Sequence, residues 1–184
     1  SRSGKQHTLL GVLDRTSTPM GARKLRDWIL HPLRDLAPLT ARLDLVDSLL
    51  AEPYLLTKLR DSLKNIRDIE RTTGRLSQGA GNARDLKSLQ TSLENIPNLR
   101  ADLSSISNTS GLHDQLIENI QEFPEIVETL QAALVDEPPA QLRDGGIIRD
   151  GHSTALDELR SASRDGKQWI AELQQSERER TGID

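Results

Sequence analysis

The stretch LDRTSTPMGARKLRDWILHPL, residues 13–33, decides how this chain folds. Thr18 offers a side-chain oxygen to the unpaired N–H groups at a helix start, and Pro19 falls at the first helical position, where a missing N–H costs nothing. Leu25, Trp28 and Ile29 then share one face while Arg23, Lys24, Arg26 and Asp27 point elsewhere, the pattern of a helix with one buried stripe. Pro32 biases His31 out of the α region and ends the run. A capped amphipathic helix is therefore expected to start at Pro19 and to stop at the His31-Pro32 step.

Composition extends that reading to the whole chain. The 184 residues include 30 leucines against four valines, and Trp28, Tyr54, Phe123 and Trp169 are the aromatics. Straight-chain and γ-branched residues suit helices, whereas strands draw on β-branched and aromatic ones. An all-α fold follows. An apolar share of 35% is low for a compact globule and favours an elongated multi-helix bundle, each helix burying one stripe. With no cysteine, disulfides, thiolate chemistry and Cys-based zinc sites are excluded. No apolar run approaches the roughly 18 residues that span a bilayer, and no secretory signal opens the sequence, so a cytoplasmic protein without a membrane partner is expected. The net charge of −4 is uneven, with a basic excess in residues 1–34 and an acidic remainder. A basic end could meet phosphate, but the Lys and Arg positions alternate with apolar ones as on any solvated helix face.

Further helical signals follow one another with short breaks. Leu39, Leu43, Val46 and Leu50 recur at helical spacing and read as an apolar seam, closed by Pro53. Helices are expected over residues 54–63 and 66–76, then a Gly-rich turn at 77–82 and a helix starting at Asn82 or Ala83. Pro97 either starts another helix or kinks that one. A polar loop at 104–111 precedes helices at 112–120 and 124–134. Residues 136–152 break the pattern: Pro138-Pro139 bars helix, and Asp144-Gly145 is a turn signal that predicts a small β-hairpin between residues 141–143 and 146–149. Ser153 or Thr154 then caps a long closing helix. Its Leu156, Leu159, Ser163, Gly166, Ile170 and Leu173 follow the alternating spacing of a coiled-coil seam. Residues 1–135, 136–152 and 153–184 are thus expected as helical core, Pro/Gly-rich segment and long terminal helix. Both ends of the sequence read as cut from a longer protein.

Sites of catalysis are sought and not found. A phosphate loop needs Gly-x-x-x-x-Gly-Lys followed by Ser or Thr, and neither Gly4-Lys5 nor Gly166-Lys167 meets that spacing. His7, His31, His113 and His152 are far apart in sequence, with no zinc-binding spacing. Glu118, Glu122, Glu125 and Glu128 form an acidic stripe that reads as a solvated face. No catalytic, cofactor-binding or metal-ligating residue is expected. Candidates for packing against other domains or helices are Trp28, Leu156, Leu159, Trp169, Ile170 and Leu173.

Four strings, taken in order, resemble one family. Leu13, Asp14, Thr16, Thr18, Met20, Gly21, Arg23, Leu25 and Trp28 match the opening of the core, or lever, region of the MutS DNA mismatch-repair ATPases. Residues 69–99 are similar to the family's Glu-Arg, Gly-Arg, Arg-Asp-Leu and Pro-x-Leu pattern. Residues 143–160 are similar to its Asp-Gly-Gly-x-Ile and Leu-Asp-x-x-Arg segment, with His152 where the family has tyrosine. Residues 177–184 resemble the end of the helix that climbs to the DNA clamp. The resemblance implies a mechanical segment coupling mismatched-DNA binding and clamp domains to an ATPase domain elsewhere in a parent homodimer. ATP and magnesium would then belong to that parent. The family's Phe-x-Glu mismatch reader is not expected here, since Phe123-Pro124-Glu125 matches it only in letters. A MutS paralogue of recombination control shares the same core, and an independent helical scaffold is the other alternative. The returning half of the lever would lie outside this sequence, which leaves the closing helix open to self-association.

Overall fold

The computed structural model describes residues 8–107 and 111–182. Ten α-helices run through them: α1 (Leu9–Leu13), α2 (Pro19–Leu30), α3 (Leu36–Ala51), α4 (Pro53–Lys64), α5 (Ile69–Ser77), α6 (Ala83–Glu94), α7 (Ile96–Ser104), α8 (Gly111–Asn119), α9 (Pro124–Ala133) and α10 (Thr154–Thr181). The all-α reading holds. Part of the loop expected at 104–111, and residues 183–184, lie outside the described residues.

Local chemistry sets most of these boundaries. Thr18 Oγ1 accepts the Gly21 N–H at 2.9 Å. A Cβ on Gly21 would sit 3.1 Å from that same oxygen, so glycine leaves the cap room. Prolines open α2, α4, α7 and α9, where the ring's fixed φ fits and no donor is lost. Pro97 thus starts a new helix: α6 ends at Glu94, and α7 begins at Ile96. Asn82 and Asp85 cap α6 reciprocally, the Asp85 N–H donating to Asn82 Oδ1 at 3.0 Å and the Asn82 N–H to Asp85 Oδ2 at 3.1 Å. At the other end of the Gly-rich turn, Ala80 N–H reaches Arg75 O and Gly79 N–H reaches Leu76 O. That is a Schellman closure of α5, and it requires the positive φ of 67° at Gly79.

The core lies between α4 and α7. Leu55 and Leu59 meet Leu99, Ile66 and Ile106, and Met20, Leu49, Leu63, Ile69, Ile96 and Leu103 pack around them. On one flank α3 packs on α4 and α8; on the other α5 packs on α6, and α6 on α9. Leu134 closes the end of α9 and is 2% exposed.

Two expectations are corrected. The seam of Leu39, Leu43, Val46 and Leu50 faces solvent, and the opposite face of α3, with Leu45 and Leu49, turns inward. Both faces of this helix carry leucine, so periodicity alone could not choose between them. The β-hairpin is absent among the described residues. Residues 142–144 form a 3-10 turn, closed by Asp144 N–H to Gln141 O and Gly145 N–H to Leu142 O. A tight hairpin about Asp144-Gly145 needs positive φ at both residues, but here Gly145 and Gly146 hold it, at 70° and 68°, and Asp144 does not. The chain beyond the glycines pairs instead with the end of α9. Val135 N–H donates to Ile147 O at 3.1 Å and Arg149 N–H to Ala133 O at 2.8 Å, a single antiparallel bridge of Leu134 with Ile148.

Candidate functional site

The longest helix is α10, at 28 residues. Its base is pinned. Ser153 Oγ accepts the Leu156 N–H, and Asp157 Oδ2 accepts the Gly151 N–H at 2.8 Å. Arg160 donates from Nη1 to Asp150 Oδ1 at 2.7 Å and from Nη2 to the Ile148 carbonyl at 2.9 Å. Because Ile148 is bridged to the end of α9, these bonds fasten α10 to the helical body. Beyond Arg160, residues 161–182 are exposed without exception.

The packing candidates on α10 divide accordingly. Leu156 is half-buried at the base, whereas Leu159, Trp169, Ile170 and Leu173 are exposed, Leu159 by 69% and Trp169 by 62%. Their shared face has no partner helix among the described residues. Leu159, Ile170 and Leu173 keep the spacing of a coiled-coil seam along this exposed face.

Trp28 lies elsewhere, on α2. It is 41% exposed, and the Arg42 guanidinium of α3 sits 4.0 Å from its ring centroid. The cation covers the ring and joins α2 to α3. Beside it the outward face of α3 carries Leu36, Leu39, Leu43, Val46 and Leu50, all exposed. The structure therefore does not bring Trp28 and the α10 residues into one site; it gives two separate apolar faces.

What the sequence did not reveal is the set of polar joints between helices. Arg23 of α2 grips Asp68 before α5 through two hydrogen bonds and also pairs with Glu70. The Arg23 guanidinium holds the Asp68 carboxyl down to about 2 against the ordinary 3.8. Arg75 of α5 pairs with Asp85 in the α6 cap and lowers its pKa. Buried Asp102 of α7 accepts Ser62 Oγ at 3.0 Å and Lys58 Nζ at 2.6 Å, both from α4. Ser92, with no exposed surface, accepts the Arg67 N–H at 3.0 Å and donates to Ser88 O. His113 is buried against α7, its Nε2 2.9 Å from the Leu103 carbonyl. Arg23 lies within the family-like stretch 13–28 and Asp68 directly precedes that at 69–99. Asp102 and Ser92 carry no such signal.

No group of three or more His, Cys, Asp or Glu side chains among the described residues gathers closely enough to hold a metal ion. No described helix is long and apolar enough to cross a membrane.

Charged joints between packed helices, together with one long unaccompanied helix, define an all-α helical domain without an enclosed catalytic centre among the described residues. The family can be given as well: the description MutS domain III matches residues 1–181, and the chain belongs to that family. It is 44% identical over 182 residues to the DNA mismatch repair protein MutS of Halothermothrix orenii, covering 98% of this chain and 20% of that protein. Identity is 46% over 180 residues to the MutS of Listeria monocytogenes, with 98% and 21% covered. With the MutS of Methanosarcina barkeri it is 42% over 182 residues, again 98% and 20%. The chain thus spans about a fifth of the length of these relatives.

Proposed function

We propose that this domain couples the DNA-binding and clamp parts of a mismatch-repair protein to its ATPase part. The carrying observation is α10: anchored at its first two turns and free from residue 161 onward, it is shaped to transmit a displacement rather than to enclose a ligand. Packed helices move as bodies, so a shift at one end is passed on to the other. The Arg23–Asp68, Arg75–Asp85 and Lys58–Asp102 joints support this by tying α2 to α5, α5 to α6, and α4 to α7.

On this reading the exposed faces of α10 and α3 meet other segments of the same protein. Mismatched duplex DNA, the homodimer, ATP and magnesium belong to the whole protein, acting in the cytoplasm. Residues 1–135, 136–152 and 153–184 serve as body, joint and shaft. Mismatch repair is favoured over recombination control because the quoted relatives carry the mismatch-repair name.

The test is made in the full-length protein carrying this domain. A flexible Gly-Ser insertion after Gly166 should leave mismatch affinity and basal ATP turnover near their original levels while abolishing the response of turnover to mismatched DNA. An unchanged response would overturn the coupling role.

A further inference from the structure

Beside the start of α6 lies an open cleft of about 420 Å³ whose lining includes Arg67, Arg84, Lys87, Ser88, Thr91 and Glu137. Three cations face one carboxylate. Two of the three keep donors free: Arg67 and Arg84 are not fully engaged, while Lys87 shares Asp136 with Arg149. Arg67 makes no side-chain hydrogen bond or ion pair among the described residues; its backbone alone is engaged, the N–H by Ser92 and the carbonyl by the Ile69 N–H. Arg84 uses Nε to hold the Pro138 carbonyl at 3.1 Å, which fixes the guanidinium plane and leaves both Nη groups available. Lys87 Nζ stands 3.7 Å from Asp136, a carboxylate already bonded to Arg149 at 3.0 Å. Thr91 donates its hydroxyl proton to Lys87 O, but the Ser88 hydroxyl has no such engagement.

The chemistry that fits is a tetrahedral oxyanion. Guanidinium forks match phosphate oxygens in pairs, and a lysine adds a compact charge. The capping box already takes the N–H groups of Asn82 and Asp85, and the cleft is lined by the side chains that carry the charge. The cleft is larger than one phosphate and has room for an attached sugar. We propose that this cleft binds a phosphate ester through Arg67, Arg84, Lys87 and Ser88, independently of the coupling role above.

The ester could be a free anion or one link of a nucleic-acid backbone, and two probes separate these sources. The 184-residue chain, labelled for NMR, is titrated with inorganic phosphate and with a short single-stranded oligonucleotide. Saturable shifts centred on the Ser88 and Thr91 amides are expected. The pair Arg67→Gln with Lys87→Gln should weaken binding by about tenfold, as loss of two charge-assisted contacts requires. Arg164→Gln with Lys167→Gln, on α10, should leave it unchanged. A response to inorganic phosphate assigns a small-anion site, and a response to the oligonucleotide alone assigns a backbone site; either supports the proposal. No shift at residues 88 and 91 with either probe, or equal weakening by both pairs of substitutions, overturns it.

Discussion

Arg23 and Asp68, 45 positions apart, are joined by two near-parallel hydrogen bonds, Nη1 to Oδ2 at 2.7 Å and Nη2 to Oδ1 at 2.8 Å. The same Asp68 accepts the Arg71 N–H at 3.2 Å as the cap of α5. One carboxylate therefore starts a helix and fastens it to another. Forked arginine–carboxylate geometry is the kind of ion pair that holds orientation as well as charge.

The pH dependence of stability should report this pair. With the Asp68 carboxyl held down to about 2 in the fold against 3.8 ordinarily, its contribution is fully present above about pH 4 and fades as pH falls toward 2. Arg23→Gln should lower Tm at about pH 7, and the gap from wild type should shrink at about pH 2.5. Thermal melts at the two pH values check this. A gap of the same size at both would show that the pair is not its source.

Ser92→Ala should cost roughly 1–3 kcal/mol, because the Arg67 N–H loses the acceptor that the fully buried Ser92 hydroxyl supplies. Thr91→Ala, next to it but exposed, should stay within about 0.5 kcal/mol. Urea unfolding of both variants separates the effects. Equal values for the two would mean that burial of the hydroxyl is immaterial.

The chain should neither hydrolyse ATP nor bind it with micromolar affinity, since no phosphate-loop string is present. Calorimetry with ATP and magnesium tests this. Any weak heat should be independent of magnesium and should disappear with Arg67→Gln and Lys87→Gln. Saturable, magnesium-dependent micromolar binding would contradict the prediction.

Exposure of α10 should make the isolated chain self-associate. Fully burying one large apolar side chain is worth roughly 1.5–3 kcal/mol, and Leu159, Trp169, Ile170 and Leu173 all stand uncovered. Analytical ultracentrifugation should show a concentration-dependent dimer that Ile170→Glu with Leu173→Glu abolishes. A wild-type chain that stays monomeric at high concentration would refute this.

The helices were legible where short-range chemistry acts alone. Thr18-Pro19, Asn82 with Asp85, and Ser153 each mark a helix start from the side chains themselves, and the structure places the starts there. Legibility failed where the deciding partner is remote. Leu39 and Leu45 sit on opposite faces of α3, and what buries one face is α4 and α8, which no local spacing encodes. Asp144-Gly145 promised a turn, but the strand partner of Ile148 is Leu134, reached across the Pro138-Pro139 segment. The α10 candidates were read as a seam from spacing, and the structure does place Leu159, Ile170 and Leu173 in the open. Arg23 was assigned to the solvent side of α2, whereas its reach to Asp68 depends on how α2 lies against α5.

The attachment of α10 has a consequence for precision. A helix of 28 residues is about 42 Å long, so a swing of about 5° at its base carries the far end through about 4 Å, further than a hydrogen bond extends. Angular play at Asp157 and Arg160 is thus magnified into loss of register at the tip. These two side chains fix the angle at which α10 leaves the body, and Arg160, gripping both a carbonyl and a carboxylate, removes rotation about either bond alone. Small substitutions there should blunt aim at the distant end well before they reduce the stability of the fold.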